Sequence, residues 1–112
     1  MKARLAMTVG DPRGIGPEIV VKALADSRVR ERCDVVVIGP DESGVQVGES
    51  VGRWRGKGGA ELAGELSGLA IERAVQMATA GEVDGIVTAP ITDAPGFCRW
   101  YSRCDRIRSG SA

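Results

Sequence analysis

The residues best placed to do chemistry are those of Gly10-Asp11-Pro12-Arg13-Gly14-Ile15-Gly16-Pro17-Glu18. A glycine-rich turn leading into a helix presents backbone N–H groups, and the positive end of the helix dipole favours an anion there. The glycines at 10, 14 and 16 do not follow the G-x-G-x-x-G spacing of dinucleotide sites. No Lys-Ser or Lys-Thr follows them, as a P-loop would require. On spacing alone the loop is as readily an ordinary strand-to-helix turn as an anion site. Asp11 and Glu18 could serve as base or metal ligand, but both residue types are also favoured near helix starts for capping and dipole reasons. Thr88-Ala89-Pro90 closes an apolar run, and the carboxyl ends of strands are where open α/β sheets place ligands. Thr88 could offer its hydroxyl to a substrate oxygen. The local sequence favours a buried threonine bonded to backbone.

The chain has no histidine, so it lacks the commonest general base and the commonest transition-metal ligand. Cys33, Cys98 and Cys104 are odd in number and form no C-x-x-C pair, which argues against a zinc knuckle or a disulfide scaffold and for reduced thiols. Arg53, Arg55 and Lys57 around Trp54 make a weak case for nucleic acid, and a solvated loop is the simpler reading. Fifteen basic residues balance fifteen acidic ones, so no global field steers the chain to nucleic acid or an anionic membrane. No apolar run approaches the ~20 residues of a membrane span. The N-terminus meets Gly10-Asp11-Pro12 before a signal core can develop, so a cytoplasmic location is expected.

These residues need elements to hold them. Leu5, Met7 and Val9 read as a strand over 4–9, Val35-Val36-Val37-Ile38 as a second over 34–38, and Gly85 to Ala89 as a third over 84–89. Pro17 and Glu18 suit the start of a helix over 17–26. Leu62, Leu66, Leu69, Ala70, Ala74, Met77 and Ala78 recur at helical spacing over 60–80, with Gly81 as its cap. Strand, helix, strand, helix, strand implies an α/β lobe, part of a three-layer arrangement with a mainly parallel sheet. Residues 41–59 show neither period and read as an irregular loop within a lobe spanning 1–91. Residues 92–112 read as a tail, expected to be disordered.

Two blocks together carry a resemblance. Met7 to Glu18, and Ile71-Glu72-Arg73-Ala74-Val75 through Gly81-Glu82-Val83-Asp84-Gly85-Ile86-Val87-Thr88-Ala89-Pro90-Ile91, resemble, in order, the first signatures of the 4-hydroxythreonine-4-phosphate dehydrogenase family of vitamin B6 synthesis. The resemblance covers roughly residues 3–40 and 60–91. It implies a fold similar to isocitrate and isopropylmalate dehydrogenases, a homodimer, and NAD with a divalent metal (zinc, magnesium or cobalt) held by histidines. It also implies oxidation of 4-phosphooxy-L-threonine, then loss of carbon dioxide to give 3-amino-2-oxopropyl phosphate; a phosphothreonate substrate is the related alternative. Gly10, Asp11, Gly14, Gly16, Glu18, Thr88 and Pro90 are the candidate cofactor- or substrate-binding residues.

The chain departs from the family pattern in three places. Arg13 stands where the family usually has a small residue, the 41–59 region is shorter, and Thr92-Asp93-Ala94-Pro95 replaces the Asn-Lys and later Gly-His-Thr-Glu segments. The change of composition after Ile91 is what a reading-frame slip or a truncated gene would leave. The expectation is therefore an inactive fragment without metal ligands, with a small stand-alone phosphate- or nucleotide-binding module as the alternative.

Overall fold

A computed structural model describes residues 2–54, 56 and 59–90. The expected tail over 92–112 lies outside these residues. Strand β1 (Ala3–Thr8) leads through the glycine-rich turn to α1 (Gly16–Ala25) and the short α2 (Ser27–Arg32). Then come β2 (Cys33–Asp41), β3 (Glu49–Arg53), the long α3 (Gly59–Thr79) and β4 (Gly85–Thr88). The sheet order is β3-β2-β1-β4, and every pairing is parallel. The α/β class and the parallel sheet expected from the sequence are both present.

Strand alternation sorts the core into two faces. Ala6 and Ile38 turn toward α3, where they meet Ala70, Ala74 and Met77. Met7, Val9 and Val37 turn the other way and pack with Val20 of α1 and Ala89. The sheet is thus the middle of three layers. Val9, Val20 and Ile38 are essentially inaccessible to solvent, and burying such a side chain contributes about 1.5–3 kcal/mol. The buried stripe of α3 is built from Ala63, Gly64, Ser67, Gly68, Ala70 and Ala74, small residues that let the helix lie close to the sheet.

The 41–59 segment corrects the sequence reading. Glu49–Arg53 is a strand on the sheet edge, and Trp54 behind it is buried against Ala63 and Leu66 of α3 instead of lying in a solvated loop. Parallel neighbours ordinarily need a crossover of a dozen residues. Here a short link suffices because Glu49 pairs with Ile38, three residues before β2 ends, so the chain steps back only a little. Ser43 Oγ braces the turn by donating to the Pro40 carbonyl at 2.9 Å, and Arg73 Nε of α3 holds Glu49 at 3.3 Å. At the far end, Arg4 N donates to Asp84 Oδ2 at 2.8 Å and the Arg4 guanidinium bonds the Glu82 carbonyl, fixing the turn before β4 to β1.

The sequence reading ran one helix to residue 26; in the structure Asp26 separates α1 from α2. Its carboxylate accepts from the Arg28 backbone N–H at 2.8 Å, capping α2. The Arg28 side-chain hydrogen bond is the largest cause holding the Asp26 carboxyl below its ordinary value, and the Arg28 backbone bond comes second. A depressed carboxylate stabilises the fold fully above its unfolded pKa and loses that contribution as pH falls through the folded value. Asp26→Asn should therefore flatten the decline of thermal midpoint between those two acidic limits while leaving the midpoint at pH 7 slightly lower, which calorimetry from about pH 2 to pH 7 would measure.

The two sheet edges differ. The β3 edge carries Glu49 and Arg53, and its register shifts between Gly39 and Asp41, both features that discourage strand addition. The β4 edge is regular and uncharged, with Ile86 and Val87 exposed on opposite faces at 38% and 42%. The chain should self-associate through this edge. Sedimentation velocity should show concentration-dependent growth, and Val87→Lys should shift the distribution toward monomer without lowering the thermal midpoint.

Candidate functional site at the carboxyl rim of the sheet

β1 and β4 run in register, Met7 beside Val87 and Thr8 beside Thr88, so both chains leave the sheet on the same rim. Ala89 N donates to the Thr8 carbonyl at 3.2 Å and Asp11 N to the Pro90 carbonyl at 3.3 Å, extending the pairing beyond the strands. The Gly10–Gly16 turn therefore lies against the end of β4. Gly10 has φ +78°, and a Cβ there would fall well under 3.0 Å from the Pro90 carbonyl oxygen. A Cβ on Gly16 would fall well under 3.0 Å from the Val9 carbonyl oxygen, with the Val9 carbonyl carbon next at 3.1 Å and Ala89 Cβ at 3.4 Å. Glycine is required at both ends because backbone approaches backbone there.

α1 starts with Ile15 at its N-cap and no side-chain cap bond, with Pro17 in its first turn. Ile19 N is the residue that bonds back to the Ile15 carbonyl, at 3.0 Å. Helix geometry leaves the earlier N–H groups of Gly16 and Glu18 without an intrahelical acceptor.

Asp11 is 1% exposed, and its carboxylate is gripped by Arg13. Oδ1 accepts from Arg13 N at 2.8 Å and from Nε at 3.2 Å, while Oδ2 accepts from Nη2 at 2.9 Å. This bond to Asp11 is the main reason the Arg13 guanidinium holds its proton even more tightly than an ordinary arginine. Gly14 N donates to the Asp11 carbonyl at 3.0 Å, closing the turn.

Five of the seven candidate residues, Gly10, Asp11, Gly14, Gly16 and Pro90, come together in this turn. Glu18 instead lies on the exposed side of α1 and pairs with Lys22 at 3.2 Å. Thr88 is exposed on the rim, which corrects the expectation of a buried threonine bonded to backbone. The buried hydroxyl is that of Thr8, its neighbour on β1. Among the described residues Thr8 Oγ1 is the buried side-chain polar atom with no hydrogen-bond partner. Its only sequence signal is a polar residue ending an apolar strand. Among the described residues, no three of His, Cys, Asp and Glu cluster as a metal site would need. No described helix is long and apolar enough to cross a membrane.

The two tight glycines and the open one make a paired test. Gly16→Ala should destabilise the fold by about 3 kcal/mol or more, because the new methyl meets backbone that cannot move aside. Gly14→Ala, whose Cβ would find nothing nearer than 3.6 Å, should change stability by no more than about 1 kcal/mol. Urea titration of both variants, read by circular dichroism, measures the contrast.

No family model matches the sequence. A 4-hydroxythreonine-4-phosphate dehydrogenase from Synechococcus sp. (strain JA-2-3B'a(2-13)) is 34% identical over 116 residues, covering 80% of this chain and 34% of that protein. A Clostridium botulinum protein provisionally named a D-threonate 4-phosphate dehydrogenase is 28% identical over 127 residues, covering 80% of this chain and 36% of its own. The crystal structure of a 4-hydroxythreonine-4-phosphate dehydrogenase from Burkholderia phymatum superposes with a TM-score of 0.66 at 26% identity, over 82% of this chain and 37% of that one. The enzyme of the same name from Klebsiella pneumoniae gives 0.63 at 27% identity, over 81% and 38%. These neighbours have the isocitrate/isopropylmalate dehydrogenase-like fold. The chain spans about a third of the length of the relatives it matches. Over four fifths of its residues, the chain is similar in sequence and fold to the N-terminal portion of the 4-hydroxythreonine-4-phosphate dehydrogenases.

Proposed function

We propose that this chain is part of the first lobe of an NAD-dependent oxidoreductase acting on a phosphorylated hydroxy amino acid of the 4-phosphooxy-L-threonine type. In this reading hydride passes from the carbinol carbon to NAD, and the resulting β-keto acid loses carbon dioxide to leave 3-amino-2-oxopropyl phosphate. The enzyme works as a homodimer in the cytoplasm, as its family does by resemblance. The supporting observation is that two separate sequence blocks, the Gly10–Glu18 loop and the end of β4, meet on one rim of a lobe similar to those dehydrogenases.

The chain's own residues bind and orient in this scheme. The Gly10–Gly16 turn and the first N–H groups of α1 face the phosphate of substrate or cofactor. Pro90 holds the turn in place through its carbonyl, and Thr88 offers a hydroxyl on the same rim. A divalent cation does not fit the described residues, since they hold no ligand cluster and the Asp11 oxygens accept from Arg13. The isolated chain is therefore an inactive part. The Clostridium relative favours a second substrate, D-threonate 4-phosphate, which shares the phosphate and the carbinol and differs in its amino group.

A chimera tests the reading. The Synechococcus enzyme carrying residues 3–90 of this chain in place of its own segment should form NADH from 4-phosphooxy-L-threonine, while the 112-residue chain alone should form none. A folded, dimeric chimera without turnover on either phosphorylated acid would count against the proposal. So would metal-dependent NADH formation by the chain alone that Asp11→Ala abolishes.

A further inference from the structure

β2 is paired along only part of its outer side. β3 meets it from Ile38, opposite Glu49, onward, and the link over residues 42–48 returns without a helix. Residues 33–37 therefore line an open slot at the edge of the sheet. The slot is a groove of about 560 Å³, walled by Leu24, Val35, Val37 and Val47 on the α1 face and by Val36 and Met77 on the α3 face. Past Leu24 and Val35 it runs on into a second groove of about 370 Å³ beside Cys33.

Backbone direction alternates along a strand in a parallel ladder. Val9 N donates to the Ile38 carbonyl, so Ile38 and Val36 turn to β1 while Val37, Val35 and Cys33 turn to the slot. Both ends of the slot are closed. Gly48 N donates to the Val37 carbonyl at 2.9 Å, and the Cys33 N–H donates to the Val29 carbonyl. That leaves four backbone groups for a further strand: the Cys33 carbonyl, the N–H and carbonyl of Val35, and the Val37 N–H.

β4 presents the matching set. Ala89 N donates to the Thr8 carbonyl, so Gly85, Val87 and Ala89 turn to β1, and Ile86 and Thr88 turn their N–H and carbonyl groups outward. Laid parallel to β2 with Val87 opposite Val35, the two sets pair without remainder. Ile86 N–H donates to the Cys33 carbonyl and Val35 N–H to the Ile86 carbonyl. Thr88 N–H donates to the Val35 carbonyl and Val37 N–H to the Thr88 carbonyl. The next donor would fall at Pro90, which has no N–H, opposite the Val37 carbonyl that Gly48 already fills. The side chains agree with this register. Val87 shares the α1 face with Met7 and would lie against Leu24 and Val37, while Ile86 shares the α3 face with Ala6 and would lie against Val36 and Met77. Both are exposed in the single chain.

We propose that the open slot of β2 is the docking site for β4 of a second copy of this chain, added as a parallel strand. Two β4 edges brought together would have no Leu24 or Met77 to cover their side chains. Donor and acceptor are different surfaces, so the contact is head-to-tail and each addition leaves one free slot and one free β4. Assembly is an open series, not a closed dimer. This does not depend on the dehydrogenase reading.

The test is a mixing experiment on the full 112-residue chain, read by sedimentation velocity. The parent should form a concentration-dependent series that passes beyond the dimer. Val87→Lys spoils β4 and keeps the slot; Leu24→Lys spoils the slot and keeps β4. Each alone should associate at least about tenfold more weakly than the parent, because a charge enters an apolar slot. Mixed one to one, they should form a dimer and nothing larger, since only one competent pair of surfaces remains. Val35→Pro removes the Val35 N–H from the open side of an edge and replaces Leu24→Lys if that variant does not fold.

A mixture that stays monomeric would overturn the inference. So would a Leu24→Lys chain that associates like the parent, which would mean that β4 pairs with another β4. A parent that stops at a dimer, or stays monomeric at every concentration, would overturn it as well.

Discussion

The backbone of the β1–α1 turn lies directly on two neighbouring carbonyls, and the rim of the sheet is organised around that contact. Gly16 meets the Val9 carbonyl and Gly10 meets the Pro90 carbonyl, each at a separation that excludes any side chain. The first contact brings α1 down onto its own strand, so Val20 reaches the cluster of Met7, Val9 and Val37. The second ties the turn to the exit of β4, eighty residues later in the chain, through the Asp11 to Pro90 hydrogen bond. A local requirement for glycine thereby becomes a long-range restraint. It places two distant blocks of sequence side by side at the carboxyl end of a parallel sheet, where ligands of α/β proteins gather.

Packing on the opposite face serves the same end by different means. The α3 stripe of Ala and Gly lets a 21-residue helix lie flat over β1 and β2 and deliver the chain from the β3 edge to the β4 edge. Large side chains are used sparingly, with Trp54 and Leu66 closing one end and Met77 the other. This core has little spare apolar bulk. Ile86 and Val87 remain exposed on both faces of β4, and Ile15 and Ile19 on α1. Those are positions where a larger assembly of this fold would add contacts, and where this chain presents apolar surface to water.

What the sequence made legible follows from periodicity. β1, β2, α1 and α3 each bury a regular set of side chains, so apolar spacing located them to within a few residues, whereas β4 buries none and was marked only by its apolar run. β3 was hidden because Glu49-Ser50-Val51-Gly52-Arg53 has no alternation. It is held by a neighbour's backbone on one side and by α3 through Arg73, not by a buried stripe of its own. Trp54 looked exposed because its basic neighbours dominate the local sequence, while the residues that cover it, Ala63 and Leu66, come a helix turn or more into the next element. α2, Ser27-Arg28-Val29-Arg30-Glu31-Arg32, buries no residue, and it exists because Asp26 caps it. The two threonines exchanged roles for a similar reason. Parallel pairing sets Thr8 on the central strand and Thr88 on the edge, and only the sheet order decides which is covered.

The site residues show the limit of motif reading most clearly. Composition marked Asp11 as a carboxylate near a glycine turn, open to use as base, ligand or cap. The structure gives its oxygens to Arg13, a residue that stood out in the sequence as standing where the family usually has a small one. An ion pair between residues two apart carries no periodicity, so a spacing pattern does not reveal it, here or at Asp26 and Arg28. At Asp11 the ring lies in the same turn as the positive φ of Gly10 and the Gly14 N bond back to the Asp11 carbonyl. The glycines that bring the backbone close and the ion pair thus share one turn on the rim. The shape of this turn is carried by Gly10 and Gly16 and its charge by Asp11 and Arg13, so one short segment holds both.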